Sequence, residues 1–361
     1  MVYSLLFCFI SLFAVTDWVD SSKKKYLIMC FFIFVLSFFA GMRGESVGND
    51  YWEYVSIFRA VSDVRDVING SINYSEIHGE FLYASLNTFI KIFSTDYFWL
   101  FLIVAVLSVS INLYHIRKYS PFIVLSILLY FSHVYFYKEF IQIRAGLAGA
   151  ILFFSIKYIE QRNFLKFSCV VIVASLVHTA SLVLFGVYFL SFFKLSKTKA
   201  ICLILLAVII GSISWVHVTL NHLVELGYVP QSILNYVYWE RYNYSLGLLN
   251  PVSVKQILVL VFLTFYREKL AEHIKDFNAM YYMYFCSTLW IIIFNEFAIL
   301  AARVATFMSI AEFILIPAVI LLFRQKKFMY SIVYLLCFLM FYLNIFIKEV
   351  VNDYYIIGGS W

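Results

Sequence analysis

Apolar runs of about 20 residues recur along the whole chain, and a run of this length crosses a bilayer as a helix. The composition agrees, since 63% of the residues are hydrophobic and only 13% are charged. The mean hydropathy is +0.88, far from the values of soluble domains. The sequence therefore predicts an all-α, polytopic integral membrane protein that forms a single transmembrane domain over residues 1–361. The first run lacks a basic start and a small-residue cleavage site, so we expect it to stay as a membrane helix.

Charge and cysteine content exclude several other classes of protein. The net charge of +6 comes from basic clusters between the apolar runs and does not indicate nucleic-acid binding. All six cysteines lie within apolar runs and show no CxxC spacing. We therefore expect neither a metal site nor a set of disulfides.

Six short basic clusters separate the apolar runs and hold 17 of the 27 lysine and arginine residues. They are Lys23-Lys24-Lys25, Arg117-Lys118, Lys157/Arg162/Lys166, Lys194/Lys197/Lys199, Arg267/Lys269/Lys275 and Arg324/Lys326/Lys327. The positive-inside rule places all six in the cytoplasm. The expected membrane segments are 1–16, 26–42, 96–116, 120–137, 139–159, 164–193, 200–218, 251–266, 278–300, 304–323 and 328–347. Because 164–193 goes out and back, this pattern predicts about 12 crossings with both termini outside.

Two apolar segments do not fit a simple series of spans. A full span at 81–93 would place Arg117 and Lys118 outside, so we expect this segment to be re-entrant or interfacial. The segment 164–193 has some 30 largely apolar residues between two basic clusters. We expect it to form a short hairpin that turns near His178. One long tilted helix is the alternative, and it would change the direction of every later crossing.

Two of the expected outer loops have unusual compositions. The loop 43–80 is acidic, and its centre at 50–58 has the pattern of an amphipathic interfacial helix with Asn49 or Asp50 as the N-cap. The loop 218–250 is rich in aromatic and amide side chains, among them Tyr236, Tyr238, Trp239, Tyr242, Asn243 and Tyr244. Such side chains suit stacking against sugar rings, and they equally suit an aromatic belt at the membrane interface.

A polar stretch at 138–144 interrupts the apolar pattern in the middle of the chain. It places Lys138, Glu139, Gln142 and Arg144 in the first two turns of an expected helix whose remainder is small and apolar. A buried arginine in lipid costs about 2.5–3.5 kcal/mol on insertion scales, so it normally faces protein or a wet cavity. Small residues allow a neighbouring helix to approach closely. We expect this stretch to form the floor of a polar site near one membrane face.

The predicted topology brings three arginines and one histidine to the same membrane face. They are Arg43, Arg144, Arg303 and His178. Planar guanidinium groups pair bidentately with phosphate oxygens. The simplest ligand for three of them within a membrane is a lipid-linked phosphate or pyrophosphate.

Structural roles remain open for three of these four residues. Arg144 and Arg303 could stabilise helix ends by pairing with Glu139 and Glu296. His178 could be a hydrogen-bonded core residue. Glu312 lies deep in the expected helix 304–323, and its position demands a partner or protonation.

The order of several short motifs resembles that of a known family. Residues 43–58 resemble the R-x-x-x-x-G-x-D-Y-x-x-Y-x-x-x-F signature of the EpsG family, which comprises Wzy-like polymerases of bacterial O-antigen, capsule and exopolysaccharide. Further segments follow in the same order: Arg144 opens an R-x-x-[LI]-A pattern, and Arg303 an R-[IVL]-x-x-[YF] pattern ending at Pro317. Between them, His178-Thr179-Ala180-Ser181 resembles the family's H-x-[ST]-[AS] turn, with Ala180 at the [ST] position. Glu80-Phe81 stands where the family often has E-P-[GL], and here the proline is absent.

This resemblance implies a glycosyltransferase. Because the expected outer loops carry no DxD metal motif, we expect it to be metal-independent and to use no cofactor. Its substrates would be undecaprenyl-pyrophosphate-linked oligosaccharides, joined on the outer face of the bacterial inner membrane. Arg144 and Arg303 would hold the pyrophosphate, and Arg43 either diphosphate. His178 is the first candidate for the base, Asp50 the second, and Glu80 follows. Tyr51, Gln142 and the 218–250 loop would contact sugars, with Lys138, Glu139 and Glu80 also lining the substrate site.

The resemblance also allows flippase and chain-length regulator proteins as partners, besides the lipid bilayer. Three other classes of protein stay open. An integral-membrane O-acyltransferase also places a histidine in an apolar run, but it has no need of the arginines. A flippase or exporter would show pseudo-repeats, which this sequence lacks. A structural scaffold would tolerate replacement of His178 and Arg144.

Overall fold

The computed structural model describes residues 1–19, 21–61, 80–213, 215–228 and 244–356. These residues form helices, and a single isolated β-bridge joins Arg43 to Ile356. The chain divides into two compact units. Unit 1 comprises Met1–Ser155, Leu165–Leu182 and Phe313–Trp361, and unit 2 comprises Ile156–Phe164 and Val183–Glu312. The prediction of an all-α fold is confirmed for the described part of the chain.

The described α-helices are numbered here in chain order. They are α1 (Val2–Leu12), α2 (Ser22–Gly41), α3 (Tyr51–Ala60), α4 (Phe81–Lys91), α5 (Phe98–Tyr119), α6 (Ile123–Tyr130), α7 (Ile143–Leu152), α8 (Ser155–Glu160), α9 (Phe164–Ser175), α10 (Leu184–Leu190), α11 (Lys197–Ser212), α12 (Trp215–Glu225), α13 (Pro251–Phe265), α14 (Arg267–His273), α15 (Phe277–Ile293), α16 (Ala298–Met308), α17 (Glu312–Ala318) and α18 (Lys326–Tyr342). Short 3-10 segments lie at Phe13–Trp18, Thr179–Val183 and Val319–Leu322, and π-helical segments at Phe131–Ile141 and Leu343–Ile347.

Several of these helices are long and apolar enough to cross a membrane. Within the described residues there are three, namely Ser22–Gly41, Phe98–Tyr119 and Lys326–Ile347. A fourth is present if α16 and the segment 312–322 form one broken span. The chain is thus a membrane protein by length and composition of its helices, while the predicted count of about 12 crossings is not confirmed. The expected continuous helix 304–323 is wrong, because one helix ends at Met308 and the next begins at Glu312.

Antiparallel packing of α2 and α5 defines the two ends of unit 1. Gly41 closes α2 so near to Leu102 that a Cβ on the glycine would lie 2.7 Å from the Leu102 Cα. At the opposite end the Arg117 guanidinium lies 5.2 Å from the Tyr26 ring centroid. The clusters Lys23-Lys24-Lys25 and Arg117-Lys118 therefore share one end, as the positive-inside rule requires.

The other end of unit 1 holds Arg43 and both ends of the described chain. The Tyr3 hydroxyl donates to the Asn352 carbonyl at 2.6 Å, and the Tyr354 ring stacks on Phe39 with centroids 4.3 Å apart. We refer to this end as the Arg43 end of unit 1.

Helix α4 is too short to cross a bilayer. Its 11 residues rise about 16 Å at 1.5 Å per residue, against a hydrocarbon core of about 30 Å. The Lys91 ammonium, in its last turn, donates to the Val61 carbonyl just past α3. This is the kind of short helix that the sequence analysis assigned to 81–93.

The segment 164–193 turns back on itself as the hairpin prediction requires. Phe164 at the start of α9 packs against Phe185 and Phe189 of α10, with ring centroids 6.3 and 6.0 Å apart. The turn between the two legs contains His178 and the 3-10 segment Thr179–Val183. The alternative of one long tilted helix is therefore wrong.

Candidate functional site

Glu80, Arg144 and Thr179 form one hydrogen-bonded cluster in unit 1. The Arg144 Nη1 donates to Glu80 Oε2 at 3.0 Å. The other carboxylate oxygen of Glu80 accepts from the Thr179 backbone N–H at 3.0 Å and from its hydroxyl at 3.2 Å. These residues lie 64 and 99 positions from Glu80 in the sequence, so three distant segments meet at one carboxylate.

Backbone groups at the ends of two short helices explain why Glu80 lies here. The first amides of a helix and the last carbonyls of another lack partners within their own helices. The N–H groups of Leu82 and Tyr83, which open α4, donate to the Leu176 carbonyl at 2.8 and 3.3 Å just past the end of α9. Glu80 in turn accepts the Thr179 N–H at the start of the 3-10 segment. Each segment thus caps the other.

The cluster keeps a narrow opening, since the side chains of Arg144 and Glu80 are 19% and 16% exposed. Burial of Glu80 opposes its ionisation, but the hydrogen bond from the Thr179 amide and the charge of Arg144 outweigh it. Together they hold the pKa of the Glu80 carboxyl below its usual range. Glu80 is therefore a permanent anion at neutral pH and a weak base.

His178 lies beside this cluster, and its ring orientation limits what it can do. The Ala180 backbone N–H donates to His178 Nδ1 at 3.3 Å. A neutral imidazole that accepts at Nδ1 carries its proton on Nε2. In this orientation the ring proton of a neutral His178 lies on Nε2, and its role as a base stays a prediction.

Two tyrosine rings lie against the Arg144 guanidinium. The ring centroids of Tyr54 on α3 and Tyr83 on α4 are 5.8 and 5.7 Å from its Cζ. Burial raises the pKa of the Tyr54 hydroxyl to about 12, so it stays protonated. The sequence analysis assigned no role to these tyrosines or to Thr179. Tyr54 does occupy a specified motif position, which was the available signal, whereas Thr179 falls at the unspecified position after His178.

The 138–144 stretch does not form the start of one helix, and that expectation is wrong. The π-helical segment runs to Ile141, Gln142 breaks the helix at φ −103° and ψ 58°, and α7 begins at Ile143. The Gln142 N–H donates to the Tyr137 carbonyl at 2.8 Å. This hydrogen bond spans five residues, as in a π-helix. The chain then reverses so tightly that a Cβ on Gly146 would lie 2.6 Å from the Lys138 carbonyl oxygen.

The four polar residues of the stretch do not form one group, because Glu139 and Arg144 each have partners elsewhere. Glu139 is 1% exposed and its carboxylate accepts from the hydroxyls of Ser108 and, at 2.7 Å, Tyr130. The Lys138 ammonium donates to Gln142 Oε1 at 3.0 Å. Arg144 pairs with Glu80 rather than with Glu139, the partner that a purely structural role suggested.

Arg43 is fully buried under aromatic rings. Its guanidinium carbon lies 4.4 Å from the Phe101 ring centroid and 5.3 Å from that of Phe140, and Nη1 donates to the Ala40 carbonyl at 2.6 Å. Nε and Nη2 have no hydrogen-bond partner among the described residues. A phosphate could reach this cation only if a covering ring moved, and the role of Arg43 in diphosphate binding stays a prediction.

The loop before α3 is held from two sides. A Cβ on Gly48 would lie 2.2 Å from the Phe140 carbonyl oxygen, so the signature glycine lets the loop reach the π-helical segment. On the other side the Gly44 N–H donates to the Tyr355 carbonyl at 2.7 Å, and the Asn352 side chain donates to the Ser46 carbonyl at 2.6 Å.

Helix α3 begins where the sequence analysis placed an amphipathic helix. Asp50 occupies the N-cap position without a side-chain capping hydrogen bond, and it lies one turn before Tyr54. Tyr51 is buried, with its ring stacked on Phe101 at a centroid distance of 4.4 Å.

The remaining predicted residues lie in unit 2 or outside the described residues. Arg303 lies in α16, half-buried, and its carbonyl accepts from the Thr306 hydroxyl at 2.7 Å. That Arg303 lies at the same membrane face as Arg43 and Arg144 stays a prediction. Of the aromatic 218–250 loop, Tyr236, Tyr238, Trp239, Tyr242 and Asn243 lie outside the described residues, and Tyr244 is exposed. No group of three or more potential metal ligands occurs in the described ranges.

The helices and this cluster define an all-helical integral membrane protein with an ion-paired polar site between short helices. The sequence profile of the whole EpsG family matches residues 26–356, and the chain belongs to this family. Over 236 residues the chain is 28% identical to the amylovoran biosynthesis protein AmsC of Erwinia amylovora. The alignment covers 63% of this chain and 61% of AmsC, so the chain spans about three fifths of the length of that relative. No solved structure matches the chain.

Proposed function

We propose that this protein is a polysaccharide polymerase of the bacterial cytoplasmic membrane. It would join oligosaccharide repeat units carried on undecaprenyl pyrophosphate, at a site that faces the periplasm or the exterior. Membership of the EpsG family and similarity to an amylovoran biosynthesis protein support a role in polysaccharide biosynthesis. The orientation rests on the basic clusters, which the positive-inside rule assigns to the cytoplasm.

The observation that carries the proposal is the meeting of Glu80, Arg144 and the turn at His178 and Thr179. A partly exposed Arg144 side chain beside the Nε2–H of His178 suits a pyrophosphate. Charge-assisted hydrogen bonds to phosphate oxygens are stronger than those between neutral groups. Glu80 and the rings of Tyr54 and Tyr83 fix the direction of the guanidinium before a ligand arrives. Such preorganisation is the main source of electrostatic catalysis.

In the proposed reaction a sugar hydroxyl of one lipid-linked unit attacks the anomeric carbon of the growing chain. The bond from that carbon to the pyrophosphate oxygen breaks, and undecaprenyl pyrophosphate leaves with the electron pair. Arg144 and the Nε2–H of His178 stabilise the charge that develops on the leaving group. The proton of the attacking hydroxyl passes to a base. We assign that role to Asp50, because the Nδ1 of His178 is already engaged by Ala180.

Surface polysaccharide from a host that lacks this polymerase tests the proposal. Complementation with Arg144→Ala, His178→Ala or Arg303→Ala should leave single lipid-linked units and reduce chain extension by at least about 100-fold, the usual cost of losing a charge-stabilising donor. Arg144→Lys should restore extension only in part, since a lysine cannot form the bidentate fork.

Arg117→Ala is the matched control, because this arginine lies at the opposite end of unit 1 beside Tyr26. It should give normal ladders on gels. Membrane-fraction immunoblots establish that every variant is present at equal amounts. Normal ladders from Arg144→Ala and His178→Ala would exclude the proposed site.

A further inference from the structure

A cavity of about 910 Å³ lies within unit 2, and none of the residues of the candidate site contributes to it. Its volume falls in the range of small-ligand sites. Its charged lining consists of Arg162, Lys194, Lys197 and Arg267 together with Glu160 and Glu268. Four cations thus face two acids. The three basic clusters that contribute these cations are among those that the positive-inside rule assigns to the cytoplasm.

Arg267 is fixed in place before any ligand binds. Its Nε donates to Asn278 Oδ1 at 3.0 Å and its Nη1 to the Leu195 carbonyl at 3.3 Å. The ring centroids of Tyr281 and Tyr282 lie 4.5 and 4.8 Å from the guanidinium carbon. The described residues supply no acceptor for the remaining amino group, Nη2. A guanidinium held in this way loses little side-chain entropy when it binds an oxyanion.

One of the two acids is already occupied by protein groups. Glu160 accepts from the Ala279 N–H at 2.8 Å and from the Asn278 amide at 3.3 Å, at the start of α15. Its charge is therefore used to cap a helix rather than to balance the cavity. The exposed side chains of Lys194, Lys197 and Arg162 add positive charge around the cavity.

We propose that this cavity binds a phosphate-bearing ligand on the cytoplasmic side, as a site distinct from that of the polymerase reaction. The ligand's oxygens would bridge Arg267 on α14 to Lys194 and Lys197, which flank the start of α11. The same chemistry is offered by the headgroup of an anionic phospholipid and by a soluble diphosphate. Basic pockets of this kind at the cytoplasmic side of membrane helices bind anionic lipid headgroups.

Native mass spectrometry and thermal unfolding of the full-length, delipidated protein in detergent test this proposal. The probes are cardiolipin, phosphatidylglycerol, zwitterionic phosphatidylethanolamine and inorganic pyrophosphate. Lys197→Gln and Arg267→Gln should each lower the affinity for the preferred probe about fivefold, as expected for one surface charge. Lys269→Gln is the matched control, because Lys269 is exposed on the same helix but does not line the cavity.

The arms of the experiment also distinguish the source of the phosphate. Preference for cardiolipin or phosphatidylglycerol over pyrophosphate supports the proposal with the membrane as the source. Equal or tighter binding of pyrophosphate supports it with a soluble ligand. The proposal is overturned if neither anionic lipid nor pyrophosphate binds better than phosphatidylethanolamine, or if Lys269→Gln weakens binding as much as the other two. Because Lys197 has no hydrogen-bonded role among the described residues, its variant remains informative if Arg267→Gln fails to fold.

Discussion

A single carboxylate, that of Glu80, connects the parts of the candidate site. One of its oxygens accepts a hydrogen bond from Arg144 and the other accepts one from the Thr179 backbone N–H. The side chain therefore orients the guanidinium group and also caps the turn that contains His178. A cation that would otherwise rest unpaired in a partly buried site thereby keeps a defined direction. Substitution of Glu80 should therefore affect stability and activity together.

The contribution of Glu80 to stability should depend on pH in a defined direction. Its pKa is lower in the folded protein than in the unfolded chain. The ionised side chain therefore contributes its full stabilisation above the unfolded carboxyl pKa of about 4.3, and the contribution is lost as the pH falls toward the lowered pKa. In thermal unfolding, the difference in midpoint between the wild type and Glu80→Gln should be constant near pH 7 and shrink below about pH 4.5. A difference that grows on acidification would contradict the Arg144 ion pair.

Gly48 should tolerate no side chain, because its Cβ would lie 2.2 Å from a backbone oxygen of the π-helical segment. We expect Gly48→Ala to lower the free energy of unfolding by about 1–3 kcal/mol, the usual cost of overpacking, and to impair chain extension by displacing Asp50 and α3. Gly186→Ala is the control, since a Cβ added to this glycine would have no described atom within 4 Å. Equal behaviour of the two variants in unfolding measurements would show that the close approach is not required.

Two charged residues of this cluster, Glu80 and Arg144, and the neighbouring His178 were predicted from the sequence, but their pairing and the part played by Thr179 were not. Arg144 and His178 stood out because charge and imidazole are rare in apolar runs, and Glu80 because it stands where the EpsG family often has E-P-[GL]. Their contacts join positions 64 and 99 residues apart, and nothing local in a sequence encodes which carboxylate meets which cation. For the same reason the structural alternative considered for Arg144, an ion pair with the nearby Glu139, did not identify its actual partner, Glu80.

At the level of secondary-structure elements, the polar groups of unit 1 lie at turns and at helix breaks. The hairpin turn at His178 follows from apolar legs too short to span, and that inference needed only length and charge. The π-helical winding before Gln142 was not predictable from periodicity, because an extra residue per turn shifts the apolar face without changing composition. This shift places Glu139 in a buried network with Ser108 and Tyr130, away from Arg144.

A buried ion pair holds α13 to the start of α17 in unit 2. The Lys255 ammonium donates to Glu312, and the two side chains are 11% and 3% exposed. This is the partner that the position of Glu312 demanded, and it could not be named from the sequence because 57 residues separate the two.

Removal of either charge should destabilise the protein by about 3–5 kcal/mol, the usual cost of breaking a buried ion pair by removing one partner. Lys255→Met and Glu312→Leu are the single variants, and the double variant should recover most of the loss. Denaturant unfolding of all four proteins gives the coupling energy. Strictly additive effects would mean that the pair does not act as a unit.

At the largest scale that the structure supports, that of unit 1, the placement of the basic clusters agrees with the positive-inside rule. In unit 1 the basic clusters at Lys23 and Arg117 share one end, and the other end holds Arg43 and both ends of the described chain. Composition alone was enough to predict a helical membrane protein. The number of crossings was not predictable in this way, because several apolar segments form short or bent helices that do not meet the length of a span.

We propose that unit 1 binds a lipid-linked diphosphate through Arg144. The most direct test is the affinity of the purified full-length protein for undecaprenyl pyrophosphate, measured in nanodiscs with excess phosphatidylglycerol. This measurement does not require the sugar to be known. We expect Arg144→Ala to weaken binding by at least about 30-fold, as for truncation of one partner of a buried charge pair, and Arg117→Ala to leave it unchanged. Wild-type affinity in Arg144→Ala, or equal losses in both variants, would contradict the claim.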